Sequence, residues 1–510
     1  MMLVRDVESK LRRNRNLAAI VMLCLIVMLG AALRFYDLGR ESYWLDEMAS
    51  VYLAQGSLKS VLAGALDQDL YGVFALLAHA WIRAFGTAEA ATRSLSALAG
   101  TAAIAVMYAV GRETLGRRVG LLSAFLMAIS EFQIYYSQDF RYYSLFLLMT
   151  LLTFLFHVRA LRTVRFGWFV LYVLGGVLLV YTIPLGAFVL VAPNLYFLLR
   201  WNQYRRARIP WLSSQMAILL AAVPAALQTW RTITVTTGKW ITSPSVYSVL
   251  RTAFSFVLPL RHQRSWVAVA ASATAGLAFF LIGTLSFGAR MGREQWLGHV
   301  KRLFANPRRW SGHADGLLLA TCWFLCPIAL PFVLSKTFSP MYVDRYTIGA
   351  APGLYLLLAW GIVHFRKVAP ELVTIGAIVL MVAPGLQYYY ARDVKEQWQD
   401  VAMYVEQHGK EGDVVVFAPD QQGYQRRCFR WYYRGGLPDC GIDQQLDADD
   451  AIAEKLEACV SGHERFWLLM RGPTQRFEAF FLKASRENMR LLGGWQFTGI
   501  AVYLFEVVRP

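Results

Sequence analysis

Two adjacent carboxylates, Asp46 and Glu47, end the run Arg34-Phe-Tyr-Asp-Leu-Gly-Arg-Glu-Ser-Tyr-Trp-Leu-Asp46-Glu47, with Tyr43, Trp44 and Tyr52 around them. A carboxylate partly desolvated by aromatic rings can act as a general base. The same pair also reads as solvated loop acids, or as negative charge at a helix N-terminus. A second run, Tyr135-Tyr-Ser-Gln-Asp139-Phe-Arg141-Tyr-Tyr-Ser, sets an acid and an arginine among tyrosines. Asp139 and Arg141 either hold a phosphate and orient a nucleophile, or neutralise each other as a structural pair. A third run, Tyr342-Val-Asp344-Arg345-Tyr346, follows Lys336. The fork of Arg345 suits bidentate contact with phosphate; its alternative role is interfacial snorkelling.

The elements that must position these groups follow from composition. The 510 residues are 56% hydrophobic and only 17% charged, with a mean hydropathy of +0.39. This is the balance of a polytopic membrane protein. The net charge of +17 comes from Lys and Arg in short loops between apolar runs. It therefore reflects membrane topology, not nucleic-acid binding.

A bilayer crossing needs about 20 apolar residues. The pattern predicts eleven crossings, near 17–35, 93–111, 119–136, 142–158, 166–183, 186–199, 211–230, 266–287, 315–334, 347–363 and 371–390. With the N-terminus inside, Lys and Arg concentrate in alternate loops, at 5–15, 112–118, 159–165, 200–208, 290–309 and 366–367. That pattern fixes one orientation, with 36–92 as a long first outer loop and the C-terminus outside. Asp46, Asp139, Arg141, Lys336 and Arg345 then share the outer face. The apolar run 70–85 is short and carries His79 and Arg83. It reads as a helix lying on the outer surface, as does a stretch near 245–259. The basic 289–310 loop reads as a juxtamembrane anchor on anionic lipid. The first N-terminal apolar segment lacks a small-x-small cleavage site and reads as a retained helix.

After Tyr390 the composition turns polar and slightly acidic. Strand-like runs at 413–419, 465–470 and 499–508 alternate with helical patterns near 394–409, 449–460 and 474–491. This predicts a small α/β domain. The division is a transmembrane module over 1–392 and an extracytoplasmic domain over 393–510. Of six cysteines, Cys322 and Cys326 read as core residues, and Cys428 and Cys440 flank a loop where they could pair outside the cell. No cysteine–histidine cluster has metal-ligand spacing.

The sequence resembles the lipid-linked-sugar glycosyltransferases of the GT-C fold, in particular bacterial glycosyltransferase family 39 and its mannosyltransferase-like neighbours. The likeness rests on Trp44-Leu-Asp46-Glu47, Ala90-Ala-Thr-Arg93-Ser, Gly111-Arg-Glu-Thr-Leu-Gly-Arg-Arg and Tyr136-Ser-Gln-Asp139-Phe-Arg141. It continues in Tyr181-Thr, Asp344-Arg345-Tyr346 and Lys395-Glu-Gln-Trp398, and covers most of 17–410. It departs from the family where Asp67-Gln-Asp69-Leu-Tyr71 lacks the usual prolines, and where Asp139 stands in place of Glu.

The resemblance implies a mainly α, GT-C-like fold with a catalytic acid in the first outer loop, and it matches Asp46 to that acid. It implies a polyprenyl-phosphate sugar as donor. On that basis Asp46, with Glu47 beside it, is the expected base. Asp139, Arg141, Arg345, Lys336 and Tyr71 form the expected donor and substrate set. The expected reaction is inverting transfer to a hydroxyl of a glycan, lipid or protein, at the outer face of a bacterial plasma membrane. No organic cofactor is expected, and no histidine cluster backs a metal near Asp46 and Glu47. The alternatives are a lipid-linked sugar flippase, which should carry mid-membrane charges, or an oligosaccharide ligase or polymerase.

Overall fold

The computed structural model describes residues 2–67, 72–235, 241–258, 312–365, 368–420, 423–443, 449–472, 480–481 and 489–508. It divides into two compact units. One contains Met1–Tyr36, Gly56–Phe85 and Thr92–Tyr389, and the other Asp37–Gln55, Gly86–Ala91 and Tyr390–Pro510.

The first unit is helical. Seven of its described helices are long and apolar enough to cross a bilayer: Asn16–Phe35, Glu89–Thr114, Tyr143–Thr163, Arg205–Arg231, His313–Thr337, Asp344–Val363 and Val368–Ala391. An eighth span forms if Arg117–Ile129 and Glu131–Ser137, bent by 63°, are taken together. The segments expected near 166–183 and 186–199 are shorter apolar helices, Phe166–Thr182 and Gly186–Leu199. The expected crossing at 266–287 and the basic loop at 289–310 lie outside the described residues. The two expected outer-surface stretches contain the helices Gly72–Phe85 and Val246–Ser255.

The bend between Ile129 and Glu131 leaves backbone carbonyls without helical partners. Arg34, fully buried at the end of the first helix, supplies them. Its guanidinium donates to the carbonyls of Met127 (3.1 Å) and Ala128 (3.0 Å) and to Ser137 Oγ (3.1 Å). Gly100 makes room for this contact, because a Cβ there would lie 2.1 Å from Ser137 Oγ and 3.2 Å from the guanidinium. The Gln138 side-chain amide adds bonds to the carbonyls of Arg34 (3.1 Å) and Tyr36 (2.8 Å), and accepts the Tyr389 hydroxyl at 2.6 Å. A single arginine thus fixes the break just before the Asp139–Arg141 run.

The second unit holds a five-stranded sheet. With β1 at Val414–Asp420, β2 at Asp439–Asp443, β3 at Arg465–Arg471, β4 at Met489–Phe497 and β5 at Ile500–Val507, the strand order is β2-β1-β3-β5-β4. Strand β1 runs parallel to β2 and β3; β5 runs antiparallel to β3 and β4. The run Val414–Asp420 is buried along its whole length, which is why it reads as a continuous apolar stretch and not an alternating one. Asp413 fixes the start of this strand beside β3. Burial alone would raise its pKa, but Arg465, the Lys410 N–H and the Trp467 indole hold it below the usual carboxylate range.

Two expectations are corrected here. The helical pattern near 474–491 gives way to strand β4 from Met489, because Met489–Phe497 finds a full antiparallel partner in β5; most of the rest lies outside the described residues. Cys428 does not pair with Cys440. Cys440 is bonded to Cys459 across 5.6 Å between Cα atoms, which joins β2 to the helix Asp449–Val460. Cys428 faces inward from the helix Tyr424–Tyr432, where burial pushes its thiol up.

Replacing Arg34 by Met should orphan the Met127 and Ala128 carbonyls. Each buried unsatisfied group costs about 1–3 kcal/mol, so the variant should unfold at clearly lower temperature in detergent. An unchanged melting profile would show that water serves these carbonyls equally well.

Candidate active site

In the second unit, Asp46 and Glu47 form the first turn of the helix Leu45–Gln55. Negative charge here is favoured by the helix dipole. The two acids then part. Glu47 is fully buried and accepts a hydrogen bond from Lys395 Nζ at 2.8 Å, with the lysine itself 1% exposed. Asp46 is only half-buried. One carboxylate is matched inside the fold, and its neighbour keeps a face toward solvent.

The segment Arg40–Leu45 is held by polar contacts to the linker that follows the last span. The Arg40 guanidinium donates to the carbonyls of Tyr390 and Arg392. Glu41 accepts the backbone N–H groups of Val394 and Lys395. Ser42 donates to the Glu396 carbonyl at 2.7 Å, and the Leu45 N–H reaches the Glu396 carboxylate at 3.3 Å. Glu396 is itself fixed by Arg471 and the Trp398 indole. Tyr43 is buried; its N–H donates to the Tyr432 hydroxyl (2.7 Å) and its own hydroxyl to the Thr87 carbonyl (2.8 Å). Trp431 packs edge-on against both Tyr43 and Tyr52. The aromatic residues that flank the acids in sequence thus pack on Trp431.

The expected phosphate set lies in the first unit. Asp139 is fully buried and Arg141 half-buried, in the turn between Glu131–Ser137 and Tyr143–Thr163. The Arg141 N–H donates to the Asp139 carbonyl at 2.7 Å, its carbonyl accepts from Ser96 at 3.2 Å, and its guanidinium lies 5.2 Å from the Tyr142 ring. Arg345 opens the 3-10 helix Asp344–Ala350 and sits 5.4 Å from the Tyr346 ring. That turn packs directly on the helix headed by Arg141, since a Cβ on Gly349 would meet Phe146 at 3.1 Å and Thr150 at 3.3 Å. The two arginines thus lie near the starts of two elements packed against each other. Lys336 is near the same segment, because Ser335 Oγ accepts the N–H groups of Met341 and Tyr342, but its ammonium donates to Ser243 at 3.1 Å. Tyr71 lies outside the described residues. Among the described residues no group of three His, Cys, Asp or Glu side chains converges as a metal site would require, and Glu47 already serves Lys395.

Three residues are missing from the sequence-derived site. Lys395 and Glu396 stand in the Lys395-Glu-Gln-Trp398 run, directly after the last span, where a lysine beside a carboxylate is the available signal. Arg34 gives a weaker one, as a basic residue at the end of an otherwise apolar helix.

Residues 72–228 match the family model of dolichyl-phosphate-mannose-protein mannosyltransferases. The crystal structure of ArnT from Cupriavidus metallidurans in the apo state is similar at TM-score 0.55 and 13% identity, over 96% of this chain and 98% of that one. The same protein bound to undecaprenyl phosphate matches at TM-score 0.55 and 12% identity, over 94% and 97%. The chain has the GT-C glycosyltransferase fold. A further GT-C structure, the archaeal oligosaccharyltransferase AglB from Archaeoglobus fulgidus, solved with an inhibitory peptide and a dolichol-phosphate, matches at TM-score 0.54 and 12% identity, over 96% and 74%. No curated protein matches in sequence. The matched family segment carries the Asp139–Arg141 run of this GT-C chain, whereas Asp46 and Arg345 lie outside it.

Removing one partner of a buried ion pair typically costs about 3–5 kcal/mol, because the other charge stays buried. Lys395→Met should therefore destabilise the protein strongly, and Glu47→Gln combined with Lys395→Met should restore much of the loss. Chemical denaturation of the three variants measures this. A Lys395→Met cost below about 1 kcal/mol, the range of an exposed pair, would contradict the burial argument.

Proposed function

We propose that the protein transfers a monosaccharide from a polyprenyl phosphate to an acceptor hydroxyl, with Asp46 as general base. The observation that carries this reading is the division between the two acids: Glu47 is neutralised by Lys395 in the interior while Asp46, in the same helical turn, stays accessible. The GT-C fold and the family match over 72–228 support the reaction class, and the undecaprenyl phosphate of the similar ArnT structure supports the donor class.

In this mechanism the acceptor oxygen attacks the anomeric carbon as its proton passes to the Asp46 carboxylate. The bond from that carbon to the phosphate oxygen breaks, and the electron pair leaves with the polyprenyl phosphate. A single displacement inverts the anomeric centre. Arg345, helped by Arg141 and Lys336, would stabilise the charge that grows on the departing phosphate. The acceptor is a glycan, lipid or protein at the outer face of a bacterial plasma membrane, a side that the loop-charge asymmetry supports for the Asp46 segment.

Asp46→Asn tests the proposal. Loss of a general base costs on the order of 10²–10⁴ in rate, so membranes supplied with an undecaprenyl-phosphate sugar should show that fall in transfer. Near-normal transfer by a folded variant would sink the assignment. Arg345→Ala should raise the donor KM; a donor dependence equal to wild type would leave Arg345 a snorkelling residue.

A further inference from the structure

At the far end of the helix Tyr143–Thr163, which follows Arg141, the structure holds a polar cavity. The helix Tyr143–Thr163 has 21 residues, so this end is about 31 Å away at 1.5 Å per residue. The cavity has a volume of about 370 Å³ and lies among the ends of the helices Glu89–Thr114, Tyr143–Thr163, Gly186–Leu199 and Gly312–Thr337. Val158, Leu161 and Leu319 line its apolar part; Arg162, Gln203, Tyr204 and Asp315 line its polar part.

The charges around it do not balance. Glu113 faces Arg162 at 3.2 Å, Arg159 at 3.5 Å and Arg112 at 3.6 Å. Asp315 faces Arg200, itself 2% exposed, at 2.6 Å and accepts from Gln203 at 2.9 Å. Four guanidinium groups against two carboxylates leave two positive charges among these residues. The Tyr196 and Tyr204 hydroxyls lie 2.7 Å apart, so one of them donates to the other and the second keeps a proton to offer. The result is an apolar floor, a rim on which Arg162 stands with Arg112, Arg159 and Arg200 behind it, a hydroxyl donor, and an amide and carboxylate that can receive alcohol groups.

We infer that this cavity binds the glycerol-phosphate headgroup of an anionic phospholipid in the leaflet at the Thr163 end of the helix Tyr143–Thr163. The phosphate sits against Arg162 and the Tyr204 hydroxyl, the headgroup alcohols meet Gln203 and Asp315, and the first acyl carbons rest on Val158, Leu161 and Leu319. The volume lies at the low end of small-ligand sites, as a headgroup without its chains requires. Basic pockets between spans at this depth are suited to anionic lipid. The site lies at the opposite end of that helix from Arg141 and does not rest on the proposed transfer reaction.

The test uses full-length protein in nanodiscs of phosphatidylcholine doped with phosphatidylglycerol. Lipid retained after exchange into neutral detergent is measured by mass spectrometry. Wild type should retain phosphatidylglycerol over phosphatidylcholine. Arg162→Gln should lower retention roughly fivefold, the weight of one basic residue at an anionic surface, and Tyr204→Phe should lower it further. Arg206→Gln, an exposed charge on the same loop and outside the cavity lining, should leave it unchanged. Elution volume and melting temperature verify that each variant is folded. Equal losses in Arg162→Gln and Arg206→Gln would reduce the effect to diffuse surface charge and overturn the site. Retention without preference for phosphatidylglycerol would overturn it as well. Complete displacement by soluble glycerol 3-phosphate would assign the cavity to a free phosphate ester and overturn the lipid.

Discussion

A carboxylate buried away from water must be neutralised or it unfolds its surroundings. Glu47 is such a group, with no exposed surface, and the Lys395 ammonium 2.8 Å away answers it. The two residues are 348 positions apart in the chain. Their pairing draws the segment after the first helix onto the segment after the last described span. The contacts of Arg40, Glu41, Ser42 and Leu45 to 390–396 repeat that link along the stretch of chain leading to Asp46. A buried ion pair is weak evidence for net stability, since desolvation offsets most of its attraction. Its stronger consequence is geometric: only one register of the two segments leaves neither charge alone.

That register decides what Asp46 can do. Adjacent acids on one helical turn point to different sides of the helix, about 100° apart in a 3.6-residue turn. Glu47 is directed inward to Lys395, and Asp46, at the head of the helix, is half-buried. A base that must meet an acceptor hydroxyl needs this exposure, and it needs a fixed backbone to keep its geometry. The buried Tyr43 and the Glu396 carboxylate at the helix start supply the rigidity. In the other unit, Arg34 plays the corresponding part for the Asp139–Arg141 turn, by occupying the carbonyls that the 63° bend leaves open.

Much of this is legible in the sequence for physical reasons. Apolar runs of span length, and the positions of their charged loops, report the bilayer directly, so the helical unit and its small sheet domain can be read from residue order alone. The continuous apolar run Val414–Phe417 announces a buried central strand. Strand β4 is less visible, because Leu491-Leu-Gly-Gly-Trp495 has no clean alternation and becomes a strand only through β5. The Cys440–Cys459 bridge is hidden because loop proximity favours Cys428, while the fold turns that residue into the core. The site divides in the same way. Asp46 and Glu47 announce themselves as a pair, but nothing local distinguishes the acid buried against Lys395 from the half-buried one. The distinction lives in Lys395, and a contact across 348 residues leaves no trace in spacing.

The division of roles between the two acids is the claim that transfer rate and thermal stability, measured together for Asp46→Asn and Glu47→Gln, test most directly. Asp46→Asn should melt like wild type but lose sugar transfer, whereas Glu47→Gln, which strands the Lys395 charge, should melt markedly lower. An Asp46→Asn protein that transfers sugar normally, beside a Glu47→Gln protein that is fully stable and inactive, would contradict this division and make Glu47 the base.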